Sequence, residues 1–216
     1  SQLTSIGDLS QWNTSNVTNM DSMFGVSQIT SVDLSKWNVS NVTNMAGMFG
    51  KSQLTSIGDL SQWNTSNVTT MNSMFWKSQL TSVGDLTKWN TSKVTNMNSM
   101  FCESQLTSVG DLSQWNTSNV TNMDSMFGVS QITSVDLSKW NVSNVTNMAG
   151  MFGKSQLTSI GDLSQWNTSN VTTMNSMFWN SQLTSVGDLS KWNTSKVTDM
   201  RWMFDDSKLT PPAWYH

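Results

Sequence analysis

The chain has 216 residues, 12% of them charged, with a net charge of −3 from 14 acidic and 11 basic side chains. It therefore lacks the basic stripe with which a protein holds nucleic-acid phosphates. Its length allows a core of one or two ordinary domains, no apolar run reaches the ~18 residues of a membrane span, and Cys102, alone, forms no internal disulfide.

From the first residue the chain repeats itself. Units begin at Ser1, Ser27, Ser52, Ser78, Ser104, Ser130, Ser155 and Ser181, with a stub at Ser207, at periods of 26 residues and twice 25. Such a period means a solenoid, in which each unit is one coil and covers its neighbour. The first half of each unit predicts a short strand. In the two short units it reads "ITSVDLSKW" (Ile29–Trp37), with apolar residues at the first, fourth and sixth places. The long units read "LTSIGDLSQW", and Gly7 and its counterparts mark one extra residue, expected as a bulge that keeps the side-chain register. The second half predicts a short α- or 3₁₀-helix. Val17, Met20, Met23 and Phe24 fall at i, i+3, i+6 and i+7, with Thr18 suited to the N-cap and Gly25 to the stop. A helix of about two turns does not persist alone in water, so stacking must hold it.

The expected fold is thus an α/β solenoid of eight right-handed coils over 1–204, one strand and one helix per coil. Residues 205–216 follow as a cap or exit segment, because Pro211 and Pro212 cannot donate to another ladder. At strand spacing eight coils make a rod roughly 38 Å long. Residues 104–180 repeat 1–77 with only Ile6/Val109 and Lys77/Asn180 differing. Copies that close favour selection for length or recent recombination. A chain that starts and stops in phase with its repeat reads as a piece of something longer.

In such a stack every inward position becomes a file of identical side chains. Trp12, Trp37, Trp63, Trp89, Trp115, Trp140, Trp166 and Trp192 are expected to be a packed structural ladder, and the sixteen methionines core filler. Asp8, Asp33, Asp59, Asp85, Asp111, Asp136, Asp162 and Asp188 make a file of carboxylates. Like charges on neighbouring strands repel, so the file needs a compensating role. It can accept bonds from nearby backbone amides, as Asp does in turns, or bind Ca²⁺ or a basic partner. The place after Met-Phe varies through Gly25, Gly50, Trp76, Cys102, Gly128, Gly153, Trp179 and Asp205, which marks an outward position. Trp76 and Trp179, four coils and roughly 19 Å apart at strand spacing, are therefore candidates for exposed aromatics that stack on a sugar or partner. In the last unit Trp202 replaces a small residue and is expected to close the end. The only histidine is His216, and no serine sits in a nucleophile elbow, so catalysis by a triad or a zinc cluster has no support. The Asn-x-Ser/Thr triplets, such as Asn13-Thr14-Ser15, read as turn and cap chemistry.

"DLSKWNVSNVTNMAGMF" (Asp33–Phe49) resembles the BspA-like leucine-rich-repeat surface proteins of bacteria, and the resemblance extends from Ser1 to about Phe204. It implies an extracellular location on the bacterial surface, with the anchor outside these residues. It also implies adhesion to host matrix, mucin glycoproteins or glycans, and no enzymatic activity or cofactor. The alternative is a passive stalk that projects another domain from the cell wall. Ice binding is disfavoured, because the outward files mix Ser, Asp, Gln, Lys and Asn. Without a clear N-terminal cap, the open edge of the first coil could also pair with another copy.

Overall fold

What joins successive coils is a parallel ladder one residue wide. In the computed structural model, which describes residues 3–216, single bridges run Asn19–Asn44–Thr70–Asn96–Asn122–Asn147–Thr173–Asp199. The repeat period is thereby converted into a stack, and the chain is a repeat solenoid. Around each bridge the backbone alternates its partners. Met20, Ser22, Phe24 and Val26 donate their amides to the carbonyls of Asn44, Ala46, Met48 and Gly50 in the next coil, at 2.8–2.9 Å. Between them Met23 and Gly25 close i−3 turns onto Met20 and Ser22.

This pattern replaces the expected helix. In the second half of each coil two backbone positions are left-handed, the first through Ser22, Gly47, Ser73, Ser99, Ser125, Gly150, Ser176 and Trp202, the second four residues later from Val26 to Asp206. A left-handed residue every fourth position cannot belong to an α-helix. Among the described residues the only helical turn is 3₁₀, Leu86–Lys88. The reason is cooperative: nucleating a helix of two turns costs more than pairing each amide with an identical coil already in place. The apolar spacing of Val17, Met20, Met23 and Phe24 is real, but it describes which side chains point inward rather than a helix.

The strand expected in the first half of each unit shrinks in the same way. Among the described residues only Ser31–Ser56 and Ser134–Ser159 bridge there. Glycine explains the interruption. Gly58, Gly84, Gly110, Gly161 and Gly187 have φ of +80° to +83°, and a Cβ on any of them would collide with the carboxylate of the aspartate one coil earlier. The extra residue is therefore not a strand bulge but a left-handed turn passing beneath an aspartate. Coils carrying it also accept a bond from the leucine of the coil before, as in Leu60 N–H to Val83 O and Leu86 N–H to Val109 O.

The core is a set of files. Phe24 to Phe204 stack at ring separations of 5.4–6.1 Å. That exceeds the ~4.8 Å between paired strands, so each ring is shifted sideways as well as raised, as offset aromatic stacks prefer. The ladder tryptophans from Trp37 to Trp192 are buried, and each indole Nε1 donates to the carbonyl of the leucine in the preceding coil. Trp37 reaches Leu9 at 3.1 Å and Trp192 reaches Leu163 at 3.0 Å. A single residue type thus fills volume and satisfies a buried carbonyl. Trp12, in the first of the described coils, is 52% exposed. At the other end Trp214 takes the next place in the series, donating to Leu189 O at 2.8 Å, while its ring and that of Tyr215 lie against Phe204. These rings, not that of Trp202, pack on Phe204; Trp202 is 55% exposed.

Candidate functional site: two tryptophan-walled grooves

Polar side chains mostly bind the stack to itself. Threonines of the exposed file, such as Thr43 and Thr69, donate both amide and hydroxyl to the carbonyl of the equivalent threonine one coil earlier. Asn41 and Asn67 donate to Ser15 O and Ser40 O, and Asn13 accepts from the Ser15 amide. The Asn-x-Ser/Thr triplets therefore serve as turn and inter-coil chemistry.

The aspartate file has the same character. Asp8, Asp33, Asp59, Asp85, Asp111, Asp136, Asp162 and Asp188 each accept the backbone amide two residues on, at 2.8–3.0 Å. Bonds to the charged form hold a carboxylate below its ordinary range. For Asp8, Asp33 and Asp188 the serine amide two residues on is the main cause, then its hydroxyl. For Asp85 and Asp136 the hydroxyl of Thr87 or Ser138 leads. Among the described residues no three His, Cys, Asp or Glu side chains converge as metal ligands.

Trp76 and Trp179 stand apart from this self-contained surface. Both are half-buried, not fully exposed, and each forms the wall of a shallow groove, across three coils for Trp76 and four for Trp179. The first groove, about 260 Å³, has a floor of Gly25, Ala46, Gly47 and Gly50. The second, about 350 Å³, has a floor of Gly128, Ala149, Gly150 and Gly153. These volumes lie at the small end of ligand pockets. Small residues leave the floor open, and the same residues let the coils approach. A Cβ on Gly25 would sit 3.2 Å from Gly47 O, and one on Gly50 3.2 Å from Ser73 O. The ammonium of Lys51 lies 4.4 Å from the Trp76 ring centroid, and that of Lys154 lies 4.2 Å from Trp179, each a cation–π contact that fixes the indole. Each groove also has a carboxylate, Asp21 or Asp124, and an amide, Asn72 or Asn175.

The two lysines were not legible as site residues. The signal was available: the place after the variable Trp/Gly position also varies, through Val26, Lys51, Lys77, Glu103, Val129, Lys154, Asn180 and Asp206. Between the grooves Lys77 pairs with Glu103 at 3.2 Å. Cys102 borders the second groove, and burial first, then the Glu103 and Asp124 carboxylates, push its thiol up to about 11, which disfavours the thiolate at neutral pH. No helix of the described residues is long and apolar enough to cross a membrane.

Comparison with known proteins agrees with the repeat. The family described as "Mycoplasma protein of unknown function, DUF285" matches over residues 1–108, 78–161 and 103–211. The chain belongs to this family. The three matches overlap, and each covers several coils. Among solved structures the chain is similar to a leucine-rich repeat protein from Eubacterium ventriosum, at 15% identity, covering 99% of this chain and 77% of that one, with a TM-score of 0.39. No curated protein matches it.

Proposed function

We propose that this chain is a non-catalytic, BspA-like leucine-rich-repeat segment of a bacterial surface protein, acting outside the cell in adhesion to host mucin, matrix glycoproteins or their glycans. The observation that carries the reading is the pair of tryptophan-walled grooves. The repeated Thr, Asn and Asp side chains described above are spent within the stack, whereas Trp76 and Trp179 present half-buried indoles beside open, glycine-floored surface. Related by a shift of four coils, the grooves would engage a multivalent partner twice, and the second contact would gain from the high local concentration set by the first.

The test is binding of the fragment to immobilised mucin, matrix proteins and a glycan array, beside the Trp76→Ala/Trp179→Ala double variant and with or without a chelator. Saturable binding lost in the double variant supports the reading. Loss on chelation alone would shift it to the aspartate file, with Ca²⁺ as the bound ion. The second reading, a passive stalk, is favoured by the consumption of Thr, Asn and Asp side chains in coil-to-coil bonds. No saturable binding to any surface would establish it over adhesion. The open first coil, with Trp12, Met23 and Val26 exposed, is further proposed to pair with a second copy; light scattering after size-exclusion chromatography would show a dimer whose mass falls to that of a monomer in Trp12→Lys.

A further inference from the structure

We propose that the cleft between Trp179 and Trp202 holds one pyranose ring of a glycan chain, whose next ring lies in the glycine-floored groove on the Trp179 side. This rests on the glycan-binding reading but assigns a site and a minimal ligand to it.

Trp202 is the starting point because it breaks the local rule of the fold. It occupies the left-handed position that seven other coils fill with serine or glycine, at φ +56°. For a bulky residue that conformation is strained by roughly 1–2 kcal/mol. Burial does not compensate, since the ring is 55% exposed, and the end of the stack is sealed by Trp214 and Tyr215. Strain combined with exposed aromatic surface is the signature of a residue kept for contact rather than for folding.

Its geometry points to a flat, two-faced ligand. The cleft is about 380 Å³ and is lined by Trp179, Trp202 and Ser176 alone. A pyranose ring offers C–H bonds on its faces, which lie against electron-rich indole faces, and hydroxyls at its edge for a serine hydroxyl. The other habitual guest of paired tryptophans, an organic cation, is disfavoured here. Lys154 already lies over Trp179, and the Arg201 guanidinium lies 5.4 Å from the Trp202 ring centroid, held there by two bonds to the Asp199 carboxylate.

Ser176 and Trp179 line both the cleft and the second groove, where Asn175, Lys154 and Asp124 supply the donors and acceptors that the cleft lacks. A ligand of at least two rings therefore uses both. The first groove is a built-in control. Its surroundings are nearly the same in sequence, but the coil after Trp76 carries Ser99 where the coil after Trp179 carries Trp202, so no second indole faces Trp76.

The experiment titrates the chain with neutral hexose and N-acetylhexosamine oligosaccharides of one to six rings, read by indole fluorescence and saturation-transfer NMR, with tetramethylammonium and a proline-rich peptide in parallel. Expected is saturable binding that tightens from one ring to two, weakens at least tenfold in Trp202→Ser and is unchanged in Lys36→Gln, an exposed position outside the grooves where alternate coils carry glutamine. Trp202→Ser restores the residue of the other coils, so its melting temperature should equal or exceed that of the parent, which separates lost binding from lost folding. Equal sugar affinity in Trp202→Ser overturns the proposal, as does tetramethylammonium or peptide binding that depends on Trp202 in place of sugar binding. If mucin binding survives Trp202→Ser but is lost in Trp76→Ala/Trp179→Ala, the adhesion reading stands and this one fails. If neither mucin nor any oligosaccharide binds, both fail.

Discussion

Trp12 in the first coil leaves half its surface in solvent, whereas Trp192 in the last full coil is buried, stacked on Trp166 and in a coil whose Leu189 carbonyl holds Trp214. The same contrast holds for glycine. A Cβ on Gly7 would meet nothing within 4 Å, while one on Gly84 would strike the Asp59 carboxylate. Identical letters thus have different energetic meaning at the open end and in the middle. In a solenoid, stability is approximately a sum over coil–coil interfaces, and a residue counts for the interfaces it belongs to.

A tryptophan series would break or sharpen that contrast, starting with the largest effect. Trp115→Ala, in the middle, removes a buried ring and its Nε1 bond to Leu86 O at 3.0 Å, leaving that carbonyl with the Trp89 amide alone. A loss of about 3–5 kcal/mol is expected, visible as a lowered urea midpoint. Gly84→Ala comes next. Its φ of +83° opposes a side chain and Asp59 must give up its amide bond, so about 2–3 kcal/mol should be lost, against no measurable change for Gly7→Ala. Trp214→Ala, at the closed end, should cost about 2 kcal/mol, since the ring is half-buried and its one hydrogen bond contributes about 1. Amide exchange in that variant should quicken first in the last coil. Trp12→Ala should cost less than about 1 kcal/mol. Were it to cost as much as Trp115→Ala, the first coil would have to be covered in solution.

The smallest effect should be that of pH. Asp8, Asp33, Asp85, Asp136, Asp188 and Asp199 titrate below their ordinary value in the folded chain, Asp199 at about 2 because the Arg201 side chain and amide bond it. A depressed folded value means that the contribution is present above the unfolded value near 3.8 and is lost as pH falls through the folded one. The melting temperature should therefore be level from pH 7 to 5 and decline between about pH 4 and 2. These carboxylates are exposed, and salt should flatten the decline only slightly, because local amide bonds dominate it.

Much of the architecture was legible in the letters. The period gave the coil, and recurrence of Trp, Met and Phe at fixed offsets gave the inward files, because a side chain that must stack on its own copy cannot vary. Secondary structure was less legible. The i, i+3, i+6, i+7 spacing of Val17, Met20, Met23 and Phe24 fits a helix and equally fits a left-handed zigzag with the same inward side chains. Hydrophobic periodicity reports the direction of side chains, not where the amides go. The site was readable in part. Variation after Met-Phe marked Trp76 and Trp179, but the lysines on their rings and the cleft at Trp202 needed neighbouring coils, 25 or 26 residues away in sequence, to be placed side by side.

By itself the sequence determined the repeat, the phase of each coil, the identity of the core files and the absence of the ordinary catalytic constellations. Those are properties of spacing and residue type within one unit. Tertiary structure alone decided the partner of each amide, the left-handed turn under five of the file's aspartates, the packing of Trp214 and Tyr215 on Phe204 and the joining of separate coils into grooves. Each depends on what the adjacent coil offers at hydrogen-bonding distance, and a short segment with no stable conformation of its own takes the one its neighbour can satisfy.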